Sequence, residues 1–438
     1  GYYLSTGSNL NQRIEFELRT TEKMFIFLNK ENRDYLEDIE LAAFRYEFFL
    51  ESFINGYHLN SIKDQPLELL ERLPQTIHRL ERKKTEEVVA SLKVSDCHFE
   101  SNDHLKLLEE LERIQEDEEP NWRTIPIHLG ELLKNGINTE YFDRILALIN
   151  FYNERYHKSF KGVLNLQTAS YLKSPKVVSH ILPHINANYH KDRVALIVID
   201  GLAFWQYELL KEHIPGKIKV NPVHSWLPSI TQLSRQAIFK GDLPDRNYKQ
   251  GPASEEKLWF DYWKSKGIPK TQIKYYYEPK DVKSFGGRKR VALVYKDLDD
   301  FMHSCQDYGY LKSMTEIWME RTSLFSNIKT LLKEGFNVFL ATDHGNVEAK
   351  GWRPLSGREK LGANKSGSRS QRHLEYSDEQ LYDNFIKENV ELEPEVLKDD
   401  QSLYFKNNLS FSKEEKLVTH GGAHILEMLV PFVKITNE

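Results

Sequence analysis

The chain has 438 residues, of which 29% are charged and 40% hydrophobic; it is too long for one ordinary compact domain and has enough apolar material for a core. Its 22 glycines and 16 prolines exclude collagen-like and low-complexity classes, and a formal net charge of −5 argues against a general nucleic-acid coat. Two cysteines, Cys97 and Cys305, exclude a disulfide framework and make a reducing cytoplasm the default, while the lack of a long apolar run predicts no transmembrane helix and no membrane partner.

The averages hide two textures. Residues 1–190 hold 23 Lys and Arg against 30 Asp and Glu, with 6 glycines; residues 191–438 hold 37 against 35, with 16 glycines. The first part reads as helix and the second as alternating strand and helix with tight turns. The chain opens on Gly1, not Met, and is expected to be a tagged or excised piece of a longer protein.

In chain order, 33–59, 67–92, 104–118 and 139–156 carry apolar residues at helical spacing. Tyr141, Ile145, Leu148 and Tyr152 form one stripe. Nothing before residue 175 has metal-ligand spacing or a phosphate loop, so residues 1–185 read as a helical scaffold or partner-binding region. Ser174, Pro175 and Pro183 mark an expected hinge. Val194–Ile199 is a continuous β-branched run, as in a strand buried on both faces. Val291–Tyr295 and Val338–Ala341 repeat the pattern, with weaker strands at Lys274–Tyr277 and Met428–Ile435. Helical patterns at Ser254–Lys266 and Ser313–Glu334 lie between them. Strand and helix in alternation predict an α/β domain over 186–438, built on a mostly parallel sheet flanked by helices. Gly345–Lys416 reads as an insertion. Its first part, Glu348–His373, has seven Lys or Arg against two Glu and reads as a mobile loop.

Each strong strand ends in an acidic residue: Asp200, Asp297 with Asp299, and Asp343. The carboxyl ends of parallel strands line the ligand crevice, and carboxylates gathered there repel one another unless a cation lies between them. One such Asp could be only a helix N-cap; three beside histidines point to metal. Asp299 and His303 are four apart, on one face of a helix. Asp343 and His344 can reach one ion if the chain turns at Gly345. His420 lies on a Gly-Gly turn. In Leu227-Pro228-Ser229-Ile230-Thr231, Ser229 and Thr231 stand where a loop becomes a helix. Either could cap the helix or present a hydroxyl to an anion at its positive end. Arg235, on the same face as Thr231, could bind that anion in bidentate fashion.

Asp-Gly after a strand, PSxT opening a helix, DxxxH, DHG and a late His-Gly, in that order, resemble the alkaline phosphatase superfamily. The wording VIDGLAFWQ, LPSITQLSRQAIFKG, ATDHG and THGGAHILEMLVPFVKI resembles the PglZ domain of BREX phage-defence systems, over roughly residues 190–436. The resemblance implies that Thr231 is a nucleophile bridging to metal. It implies that Asp200, Asp343 and His344 hold the ion that activates it, and that Asp299, His303 and His420 hold a second. His424 is an alternative to His420. Two divalent ions are implied, Zn²⁺ first, with Mn²⁺ or Mg²⁺ as alternatives.

The implied activity is metal-dependent hydrolysis of a phosphoric ester through a phosphothreonine, as a phosphatase or phosphodiesterase. Partners would be a phosphoester, with DNA or a nucleotide among the candidates, and other BREX components. Lys350 and Arg353 begin the basic segment on the active-site side and are candidate substrate contacts. A DNA nuclease using the same metals and a mainly structural component of a defence complex are the competing readings. The basic cluster at 283–290 precedes a strand, so it is expected at the opposite edge as solvated surface.

Overall fold

The computed structural model describes residues 3–4, 26–27, 57–62, 73, 80–94, 102–114 and 119–437, with short breaks at 358, 360–362, 365–369, 377 and 400–401. The chain divides into two compact units, Gly1–Glu87 and Val88–Glu438. The expected helix at 33–59 lies outside the described residues except for its last three. In the first unit the described elements include a two-residue parallel pair, Tyr3–Leu4 with Ile26–Phe27, and a short helix, Leu59–Ile62. Among the described residues no helix is long and apolar enough to cross a membrane.

In the second unit the helices α1 (Asn102–Glu112), α2 (Ile125–Gly136), α3 (Phe142–Ser159) and α4 (Ile181–Tyr189) precede the main sheet. The stripe foreseen on α3 is its buried face: Ile145, Leu148 and Tyr152 enter the core. Pro183 does not form a hinge. It lies in the first turn of α4, where a missing N–H leaves no helical bond unmade.

The sheet then builds from β1 (Val194–Ile199), α5 (Phe204–Leu210), β2 (Lys217–His224), α6 (Thr231–Lys240), α7 (Pro252–Ser265), β3 (Ile273–Tyr277) and β4 (Arg290–Tyr295). It continues through α8 (Asp297–Met302), α9 (Tyr308–Arg321), α10 (Leu324–Lys333) and β5 (Asn337–Ala341). The single helical pattern over Ser313–Glu334 is two helices, broken at Thr322, whose extended backbone ends α9. A short helix α12 (Ile425–Met428) and a last strand complete the chain. Numbered after the insertion's own strands, that strand is β13 (Leu429–Thr436).

The six strands lie in the order β2-β13-β5-β1-β4-β3. β1, β3, β4 and β5 are mutually parallel, and β13 is antiparallel to both β5 and β2. β1 and β4 are buried along their whole length, which is why they read as unbroken apolar runs. This topology places the site. β1, β2, β4 and β5 all end at one edge. Because β13 runs the other way, the segment just before it arrives at that same edge.

The insertion is folded, not a loop throughout. β6 (Val347–Gly351) opens it, and β7 (Ala363–Asn364), β8 (His373–Tyr376), α11 (Glu379–Glu388), β9 (Val396–Asp399) and β10 (Ser402–Phe405) follow. β7 to β10 form an antiparallel sheet with its own core around Leu374, Tyr376, Phe385, Leu403 and Phe405. β11 (Leu409–Ser410) and β12 (Leu417–Thr419) flank β6 in a three-stranded sheet. The glycines and lysines of 348–373 conceal strands whose apolar partners lie far along the chain. At the opposite edge of the main sheet, Arg290 is not solvated surface. It is buried over Trp263 and donates to the carbonyls of His190 and Asp192.

Candidate metal centre

Asp200 follows β1, Asp299 lies in α8 after β4, and Asp343 follows β5, all buried at one edge. Two groups of ligand atoms lie within metal-holding distance of one another: Asp200 with Asp343 and His344, and Asp299 with His344 and His420. His344 belongs to both. His303 flanks the second group, its Nε2 3.3 Å from Asp299 Oδ1 on the same helical face, as the four-residue spacing requires.

A strand register brings the two late histidines together. β12 pairs antiparallel with β6, Thr419 opposite Val347, so His420 leaves one strand where the chain from His344 enters the other. Their rings stack at 3.8 Å, only 3° from parallel. His344 Nδ1 faces the Gly345 carbonyl at 2.9 Å and His420 Nδ1 faces the Ser229 carbonyl at 2.8 Å. A carbonyl can only accept, so each Nδ1 carries the proton and each Nε2 lone pair points inward, as in metal-ligating histidines. His424 does something else. Its Nδ1 accepts from the Leu426 N–H at 3.3 Å and caps α12.

The glycines here are required by close approach. A side chain on Gly345 would meet the Leu426 carbonyl oxygen at 2.0 Å. Gly421 has φ +98°, and a Cβ there would collide with Ser370 Oγ at 1.8 Å. Gly345 is thus small for want of space, not in order to turn.

Thr231 is the first residue of α6, behind an extended Ile230. Its Oγ1 is 3.1 Å from His344 Nε2. Ser229 neither caps the helix nor points at the ligands: its Oγ accepts the Gly421 N–H at 3.0 Å, tying the PSIT and HGG segments together.

Each carboxylate keeps one oxygen in reserve. Asp343 Oδ1 accepts the N–H groups of Gly201 and His344 at 3.2 and 3.1 Å, and Asp200 Oδ2 accepts from Arg235 at 2.5 Å. Asp343 Oδ2, Asp200 Oδ1 and Asp299 Oδ1 are buried and accept no hydrogen bond, a costly condition unless a cation takes them. Burial, and then neighbouring Asp343, push the Asp200 carboxyl well above the usual range against the pull of Arg235. Burial lifts Asp343 to about 6, again against Arg235. For Asp299, burial acts upward but is outweighed by His303, 3.3 Å from Oδ1, and by the nearby His420 and His344, so the carboxyl lies well below that range. Burial and then His344 hold His420 neutral. Crowded carboxylates with free oxygens beside imidazole nitrogens fit divalent metal.

The three expected substrate contacts differ in their surroundings. Arg235 is buried between Asp200 and Glu255, which take its two terminal nitrogens, while its Nε has no partner. Arg353 clamps Glu359 in bidentate fashion and reaches Asn389. Lys350 is an exposed residue of β6. Arg372, counted with the basic loop, is fully buried against Glu427, whose carboxylate also accepts from the N–H groups of Gly422 and His424. Glu427 lies within the THGGAHILEMLVPFVKI segment, which gave it no role, and Glu255 lies in no motif.

A family model described as the BREX system PglZ alkaline phosphatase-like domain matches residues 178–435. No curated protein matches the chain. Among solved structures it is similar to murine ectonucleotide pyrophosphatase/phosphodiesterase 5, at 13% identity and TM-score 0.39 over 56% of this chain and 88% of that one. The human counterpart gives 12% and 0.39 over 56% and 88%. Phosphonoacetate hydrolase from Sinorhizobium meliloti 1021 gives 12% and 0.34 over 56% and 91%.

Proposed function

We propose that this chain, which belongs to the BREX system PglZ alkaline phosphatase-like domain family, hydrolyses a phosphoric ester with Thr231 as nucleophile and two divalent metal ions, in a cytoplasmic phage-defence complex. Membership of an alkaline phosphatase-like family makes it a phosphoester hydrolase; the nucleophile, the ions, the substrate and the setting are our reading. One observation carries that reading. Thr231 Oγ1 meets His344 Nε2 at 3.1 Å, where the two groups of ligand atoms share a residue.

Asp200, Asp343 and His344 would hold one ion, and Asp299 and His420, with His303 beside them, the other. When bound, such a pair supplies Lewis acidity to the attacking and leaving oxygens of a phosphoryl transfer. Donors of nitrogen and oxygen without thiolate suit Zn²⁺, then Mn²⁺ or Mg²⁺. The start of α6 favours a phosphoryl group near Thr231, since the helix presents free N–H groups there. In the first step Thr231 Oγ1 loses its proton and bonds to phosphorus, while the bond from phosphorus to the ester oxygen breaks and the alcohol leaves protonated. Water then attacks the phosphothreonine, the phosphate departs and Thr231 regains its proton. Of the loop cations, Lys350 is the one described residue we retain as a substrate contact. We retain residues 1–185 as a scaffold or partner-binding region and 186–438 as the catalytic one.

Thr231→Ala should lose at least about a thousandfold in turnover of p-nitrophenyl mono- and diesters, on the scale of removing an activated nucleophile, while keeping its metal. Unchanged turnover in that variant, together with no bound metal by plasma mass spectrometry of the wild type, would sink the reading.

A further inference from the structure

Asp200 does not stand alone behind its ion. Its Oδ2 is held by Arg235 Nη1 at 2.5 Å, leaving Oδ1 on the side of His344 Nε2, 3.5 Å away. The other end of the same guanidinium is taken by Glu255, at 2.7 and 2.8 Å. Glu255 in turn accepts from the Tyr275 hydroxyl at 2.8 Å and from Gln250. Arg235 and Glu255 are both buried, so neither charge is screened by water. Glu255 comes from the first turn of α7, away from every motif of the ligand set.

We infer that Glu255, acting through Arg235, is a positioning residue that sets how strongly Asp200 holds a cation; this rests on the reading of Asp200 as a metal ligand. An arginine touching a ligand carboxylate does two opposed things. It fixes the rotation of the carboxylate, presenting Oδ1 to the ligand cluster, and it places a positive charge where a divalent ion must also be tolerated. Glu255 removes the second effect and keeps the first. With its charge offset by Glu255, the guanidinium orients Asp200 without opposing the ion. Tyr275 weakens the Glu255–Arg235 pair slightly by sharing Glu255 Oε2, so it acts in the opposite sense to Glu255.

The test is Mn²⁺ titration calorimetry on the full chain stripped with chelator, with thermal melting of each metal-free variant alongside. Glu255→Gln should weaken Mn²⁺ binding about tenfold, the scale on which groups behind a ligand tune metal affinity. The double variant Glu255→Gln with Arg235→Gln removes the uncompensated guanidinium as well and should recover much of that loss. A merely structural role gives the reverse order, with the double variant weaker than the single. Tyr275→Phe guards against misfolding of the others; it should keep the melting temperature and tighten Mn²⁺ binding severalfold. Wild-type affinity in Glu255→Gln, a double variant no better than the single, or weaker binding in Tyr275→Phe would each overturn the inference while leaving the metal centre standing. Absence of Mn²⁺ and Zn²⁺ binding by the wild type would overturn the centre itself.

Discussion

At the scale of single residues, the division between His420 and His424 shows how finely the site is drawn. The two lie four apart on one loop and both are buried. One turns its free nitrogen toward Asp299, at 3.7 Å, and the other caps a helix. His420→Ala should therefore lower the bound-metal stoichiometry from two ions to one per chain. His424→Ala should keep both ions and lose about 1 kcal/mol of stability, the usual cost of a lost cap. Metal content of the two variants, measured beside their urea midpoints, separates these outcomes. Arg235 makes the complementary point. Its place on the Thr231 face is evident from spacing, but the carboxylate that takes up its second end is not.

At the scale of elements, the insertion is held to the site by a buried ion pair. Arg372 Nε meets Glu427 Oε1 at 3.0 Å, and the guanidinium also binds the carbonyls of Leu409 and Asn407. Breaking one side of such a pair leaves an uncompensated buried charge, so Arg372→Met should cost about 3–5 kcal/mol. Arg372→Met combined with Glu427→Leu should cost less than the single change. Urea unfolding of the two variants measures the difference. A smaller loss in the single variant would mean that Arg372 is more solvated than its packing indicates. The central strands β1, β4 and β5 were legible because burial on both faces writes itself into consecutive residues, whereas the edge strand β2, mostly exposed or half-buried, was not foreseen. β6 and β8 were not, because each is one thin strand whose partners lie up to 72 residues away.

At the scale of the whole molecule, three histidines outside the candidate metal centre, His373 buried and His157 and His224 half-buried, make stability depend on pH. Burial lowers His157, His224 and His373 to about 4, against about 6.5 in an unfolded chain. Below 6.5 the unfolded chain binds protons that the folded one refuses, so stability is fully present above that pH and falls as the pH drops toward 4. With all three titrating, the slope approaches about 4 kcal/mol per pH unit. Denaturant midpoints of metal-loaded protein between pH 7 and 4 should fall steadily; a flat profile would show that these rings are hydrated.

By itself the sequence determined the α/β half, the order of its motifs and the identity of the residues that meet, because strand-end position and residue type are local properties. Tertiary structure decided which of those residues lie together, and that His344 belongs to both groups. It also decided that Arg235, Arg290 and Arg372 are buried partners, not surface cations. A charge reads the same in sequence whether it faces water or a carboxylate. Only packing determines which, since the desolvation that separates the two cases depends on residues remote in the chain.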